Sequence, residues 1–241
     1  MNNKIVKNIL LFLCVALSYF LFLPYVISFI YSLLFNLFPS IFIGPFNLVE
    51  ENLEFISLFI QDIGGLIIIG YFLFKIIKSN KLKEEKDKCF SLETLKQGAI
   101  TLGLLYLVNI VITLLIPNLS AGANQENVNS IIQTAPILSF FSVVIIAPIV
   151  EEIIFRYLLV TPFFKNKKYI GIILSALLFG SLHLISSIQN NTLLADLPNL
   201  CVYAGMGAVL AYQYVKTENI YVPILGHTFN NLLAYVVSLF L

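Results

Sequence analysis

Six polar side chains of the types used in hydrolysis stand inside long apolar runs: Glu151, Glu152, Arg156, His183, His227 and Asn231. A charge at the bilayer centre costs at least about 2.5–3.5 kcal/mol on insertion scales, so such residues are normally paired or functional. Glu152 and Arg156 are four apart, which puts them on one helix face with the acid N-terminal, the better order for an ion pair. Glu151 is turned about 100° from Glu152. Arg156 can then neutralise one carboxylate while the other points elsewhere. Locking helices together accounts for the Glu152–Arg156 pair but leaves Glu151 without a local partner.

The chain has 2 histidines, His183 and His227, and both lie in apolar segments. A lone histidine on an apolar face is usually structural. Two of two, beside a carboxylate pair, weaken that reading. Asn231 follows His227 by one turn and faces the same way. Asn230 is rotated away and suits contacts between helices.

A carboxylate and an imidazole together can hold a water and take its proton. A second imidazole and an amide can donate hydrogen bonds to an oxyanion as it forms. Such a set hydrolyses a peptide bond with no serine or cysteine nucleophile. Two histidines and a glutamate could also ligate zinc. No HExxH is present, and the three ligands fall on three separate segments. Zinc is allowed but not indicated, and no cofactor is expected.

The elements that must carry these residues are membrane spans. Of 241 residues, 59% are hydrophobic and 11% charged, with a mean hydropathy of +0.93. A soluble domain is nearer half apolar and a quarter charged. A helix crosses the hydrocarbon with about 20 apolar residues. The expectation is an all-α polytopic protein with seven spans, near 9–38, 54–77, 97–116, 136–160, 169–187, 197–215 and 220–240. Pro24 interrupts the first, which can be tilted, kinked or broken there, and an eighth span arises if it divides. The stretch 38–46 reads as re-entrant or interfacial. The N-terminal Lys4, Lys7 and apolar Ile9–Phe22 resemble a signal peptide without a clear cleavage site, and are read as a retained first span. Cys14, Cys89 and Cys201 are far apart and form no CxxC, so neither zinc finger nor redox motif is suggested. No basic patch suits nucleic acid.

Thirteen of the 14 basic residues fall on one side of that layout, in the N-terminus and in the segments after spans two, four and six. The positive-inside rule makes that side cytoplasmic, with the N-terminus in and the C-terminus out. The fourteenth is Arg156, inside a span. Counted from the cytoplasmic ends, Glu151, His183, His227 and Asn231 all reach the inner and middle parts of a ~30 Å core. A shared site is expected there, reached from the cytoplasm or laterally from the bilayer.

Three motifs in this order, EExxxR (Glu151 to Arg156), FxxxH (Phe179 to His183) and HxxxN (His227 to Asn231), with Pro148 upstream, resemble the CPBP intramembrane proteases. That family includes Rce1-type CAAX prenyl endopeptidases and bacterial Abi proteins. The resemblance covers about residues 136–241. It divides the chain into N-terminal helices, 1–130, and a catalytic core, 131–241. It implies that Glu151 and His183 activate water and that His227 and Asn231 form the oxyanion hole. Glu152, Arg156 and Phe179 would be supporting residues. It also implies a conical cavity opening to the cytosol and a glutamate-dependent rather than metal-dependent reaction. The substrate would be a membrane-associated or lipidated protein or peptide. The Lys/Asn/Ile-rich composition suggests a bacterial membrane, where leader or pheromone maturation fits. Two other readings remain open. One is a non-proteolytic scaffold, such as a bacteriocin self-immunity protein. The other is a proton-coupled transporter with helices broken at Pro148 and Pro223, although no inverted repeat is visible.

Overall fold

A computed structural model describes residues 3–38, 50–79, 82–89, 91–117, 119–163 and 167–240. Most of the 38–46 stretch lies outside the described residues. All regular elements among the described residues are helical, as the apolar runs imply. They are α1 (Asn3–Leu17), α2 (Leu23–Leu37), α3 (Glu50–Lys78), α4 (Leu82–Cys89), α5 (Leu92–Leu115) and α6 (Gly122–Thr134). There follow α7 (Pro136–Ser139), α8 (Ala147–Glu152), α9 (Lys168–Leu182), α10 (Ile185–Gln189), α11 (Leu193–Asp196), α12 (Asn199–Thr217) and α13 (Tyr221–Ser238).

Neither early proline breaks its helix. A π-helical segment, Ser18–Phe22, joins α1 to α2, and the Leu23 N–H bonds back to Ser18 O. Pro24 follows at once. A second, Phe140–Ile146, joins α7 to α8, with the Ala147 N–H on Ser142 O and Pro148 next. The wider turn accommodates a residue that has no N–H to give. A third π segment, Ile153–Val160, and a 3₁₀ turn, Thr161–Phe163, complete this rod. Pro223 lies in the first turn of α13 and breaks nothing.

Among the described residues, five helices are long and apolar enough to cross a membrane: Val6–Leu37, Ile56–Lys78, Leu92–Leu115, Pro136–Phe163 and Lys168–Gln189. The stretches expected as the last two spans form helices α12 and α13, which are not among those five. Asn199, Gln213 and Lys216 in one, and His227, Asn230 and Asn231 in the other, make them more polar. The fold is thus an all-α polytopic membrane protein.

Small residues bring the site helices close, as in membrane packing generally. A Cβ on Gly180 would lie 2.9 Å from the backbone nitrogen of Ala204, so α9 and α12 touch main chain to main chain. A Cβ on Gly226 would lie 2.5 Å from Thr101 Cγ2, which sets α13 against α5. Around these contacts Phe12, Phe155, Phe179, Leu105 and Leu210 form the main core cluster.

The stretch between the third and fourth expected spans contains helix α6. Side chains tie it down at several points. Ala123 N–H donates to Asp196 Oδ2 (3.1 Å), Asn124 Nδ2 to the Tyr203 hydroxyl (3.2 Å) and Gln133 Nε2 to Ser238 O (2.5 Å). Gly122, with φ of +76°, makes the turn into it. A polar helix without a clean apolar face is not legible from periodicity alone.

Candidate active site

Glu152 and Arg156 are both fully buried, and Arg156 Nε lies 3.1 Å from Glu152 Oε2. Arg156 Nη2 donates to Gly207 O at 3.1 Å, and the guanidinium sits 4.7 Å over the Phe179 ring. The expected pair therefore exists. Its second role was not legible, because Glu152 Oε1 also lies 3.0 Å from Nδ1 of His227. One carboxylate thus holds both an arginine one turn away and a histidine on α13.

Glu151 faces elsewhere, as its 100° offset predicts. It lines a cavity of about 520 Å³ together with His183, His227 and Asn231. Its Oε2 is buried without a hydrogen-bond partner and lies 3.9 Å from His227 Nε2. That gap is too long for a direct hydrogen bond and short enough for one oxygen to bridge.

His183 caps α9. Its own N–H turns to Ser181 O, and its ring Nδ1 lies 2.8 Å from Phe179 O. A carbonyl only accepts, so Nδ1 donates and Nε2 of the neutral ring keeps its lone pair. The ring stacks on Tyr203 at 4.3 Å. Phe179 is wedged beside both histidines, with ring centroids 4.5 Å from His183 and 5.8 Å from His227.

Asn231 is fixed by the proline upstream of Glu151. In the π register the partner of Val143 O would be the N–H of residue 148, and Pro148 has none. Asn231 Nδ2 donates to Val143 O instead, at 2.9 Å. Asn230, expected to serve helix contacts, donates to Asn231 Oδ1 at 3.3 Å and also lines the cavity. The second Nδ2 hydrogen of Asn231 is left for another acceptor.

Sequence reasoning missed three neighbours. Tyr203 orients His183, and Asp62 of α3 accepts a hydrogen bond from Ser142 Oγ on the cavity wall. Tyr19 lines the same cavity from the first rod. Asp62 was detectable as an acid within an apolar run; the tyrosines carried no signal. No group of three or more His, Cys, Asp and Glu among the described residues is placed to hold a metal ion.

The cavity is exposed at one end of the bundle. Its exposed wall residues include Asn109 and Thr113 near the end of α5 and Ser120 and Ala121 before α6. These belong to the end of the bundle that carries no lysine, not the lysine-rich end. The depth count located the residues along their helices but could not show which side the helices splay apart.

A polytopic all-α membrane protein with a buried Glu–His–Asn constellation is the class that fold and site define. Residues 133–233 match the family described as Type II CAAX prenyl endopeptidase Rce1-like. The chain is 32% identical over 122 residues to "Putative membrane peptidase YdiL" of Bacillus subtilis, covering 49% of this chain and 45% of that protein. It is 31% identical over 127 residues to "Membrane-embedded CAAX protease MroQ" of Staphylococcus aureus, covering 52% and 48%. An uncharacterised protein of Mycoplasma capricolum is 29% identical over 226 residues, covering 86% and 63%. The chain spans about half the length of the first two relatives. No solved structure matches.

Proposed function

We propose that this protein is an intramembrane endopeptidase of a bacterial membrane, hydrolysing a peptide bond of a membrane-associated or lipidated protein or peptide. The observation that carries the reading is Glu151. Its carboxylate has a buried, unpartnered oxygen on a cavity wall, 3.9 Å from an imidazole nitrogen, while its neighbour Glu152 is ion-paired with Arg156 and lies against His227. The Rce1-like match over residues 133–233 and the relative named as a CAAX protease support it.

In this mechanism a water sits between Glu151 and the free Nε2 of His183. Glu151 takes one proton as the water oxygen attacks the scissile carbonyl, and His183 accepts a hydrogen bond from the other. The carbonyl oxygen becomes an oxyanion. Nδ2 of Asn231 and Nε2 of His227 donate to it. Donation from Nε2 requires the imidazolium, because Nδ1 is engaged with the Glu152 carboxylate. Glu151 then returns its proton to the departing amine. Glu152, Arg156 and Phe179 touch no reacting atom and act as positioning residues. The reaction uses no metal.

The test is Glu151→Gln in proteoliposomes with a membrane-tethered reporter peptide. The amide keeps the shape and loses the base, so cleavage should fall at least ~100-fold with the thermal midpoint held. Undiminished cleavage would overturn the reading. Loss of wild-type activity to a zinc chelator, with recovery on adding zinc, would overturn the metal-free part.

A further inference from the structure

We infer that the cavity receives its substrate from the extracytoplasmic side of the membrane, so that the substrate is a peptide presented on that face. The sidedness rests only on helix directions and charge, whereas calling the incoming peptide a substrate rests on the protease reading above.

Five of the rods that line the cavity run between a lysine-bearing end and a cavity-bearing end. The first rod begins with Lys7 and reaches the cavity at Tyr19. Helix α3 lines it with Gln61 and Asp62 and ends at Lys75 and Lys78. Helix α5 starts beside Lys96 and lines it at Asn109 and Thr113. Helix α9 starts at Lys168 and delivers His183 at its far end. Helix α12 offers Asn199 and Tyr203 near its start and ends by Lys216. In each rod the separation is about 18–22 Å at 1.5 Å per residue. Five rods of alternating direction agree, which a chance scatter of lysines would not produce.

Positive charge is retained in the cytoplasm during insertion. The lysine ends therefore face the cytoplasm, and the mouth beside Ser120, Asn124 and Asn199 faces the opposite compartment. Helix α6, pinned to Asp196 and Ser238, forms the rim there. The charge of the chamber limits what enters. Among the described residues its titratable acids are Glu151 and Asp62, and no Lys or Arg lines it. The His227 imidazolium offsets one of these acids, and Arg156 is sealed behind Glu152 and Phe179. A free C-terminal carboxylate beside the scissile bond would meet like charge. A neutral or basic internal segment would not.

The experiment is site-directed labelling with a membrane-impermeant maleimide in intact bacterial cells expressing the full chain. Cys14, Cys89 and Cys201 are first replaced by Ser, and Ser120→Cys or Lys167→Cys is then added singly. S120C should react in intact cells, and K167C only after permeabilisation. S120C reacting only after permeabilisation, or in neither state, overturns the proposal, as does K167C reacting in intact cells. Labelling needs no turnover, so this outcome is independent of the Glu151→Gln result. A further arm adds a water-soluble reporter peptide to proteoliposomes sorted by which of these two cysteines is outward. Cleavage confined to the S120C-outward population agrees with the proposal, and cleavage confined to the other overturns it.

Discussion

In the spans Val6–Leu37, Ile56–Lys78 and Leu92–Leu115, 17% of the most apolar window is buried within the protein, against 44% in Pro136–Phe163 and 39% in Lys168–Gln189. The difference follows from what each region must hide. Lipid tails are as apolar as leucine, so apolar surface alone gives a membrane helix little reason to pack against protein. A charged group has such a reason, because hydrocarbon offers it no partner. The later rods carry Glu151, Glu152, Arg156 and His183, and these are covered by neighbouring helices. The earlier rods lend a few residues each to the cavity, such as Tyr19, Asp62 and Asn109, and leave most of their faces to lipid.

The largest expected effect is therefore at the buried pair. Arg156→Met removes the cation from a fully buried carboxylate that also holds His227. Breaking a buried pair from one side costs about 3–5 kcal/mol. Thermal unfolding in detergent should show that loss, with cleavage abolished at temperatures where the variant stays folded. A shift of only a degree or two would mean that the polar network does not organise this half.

The sequence made the fold class legible through hydropathy, and the Glu152–Arg156 pair through helical spacing. Glu151 was legible by exclusion, as the adjacent acid that spacing left unpartnered. The reach of Glu152 to His227 was not, because it joins residues on helices far apart in the chain. Nor was the link between Asn231 and Val143. It depends on a π register that no hydrophobic period reveals, and a proline in a helix reads first as a break. Helix α6 was hidden because side-chain hydrogen bonds, rather than an apolar stripe, hold it in place.

Pro148 offers a smaller test, on rate. Pro148→Ala restores an N–H that can compete with Asn231 for Val143 O. Losing one hydrogen bond of this kind corresponds to about 2–10-fold in kcat. KM should change little, since Pro148 does not line the cavity. An additional substitution of Asn231 should then cost less than it does in the parent.

Asp196 tests the rim. Hydrogen bonds from Thr192, Ser187 and the Ala123 N–H hold its carboxyl below the ordinary value of 3.8. A depressed folded pKa contributes stability that is fully present above 3.8 and is lost as pH falls through the folded value. The thermal midpoint should fall with acid in that window. In Asp196→Asn that component of the fall should vanish, from a lower starting midpoint. An unchanged acid profile would mean that α6 is held by its other ties, from Asn124 and Gln133.

A pair of leucine truncations sharpens the contrast between the halves. Leu114, near the end of α5, is 79% exposed in the protein, and Leu210 of α12 is 0% exposed. Leu210→Ala leaves a void among packed side chains and should cost about 2–5 kcal/mol. Leu114→Ala leaves none, because lipid fills the space, and should stay within about 0.5 kcal/mol. Both remove the same atoms, so the difference isolates packing from hydrophobicity. Equal losses would mean that another protein surface covers α5 in the membrane, and the low burial of the earlier rods would then reflect a missing neighbour rather than lipid.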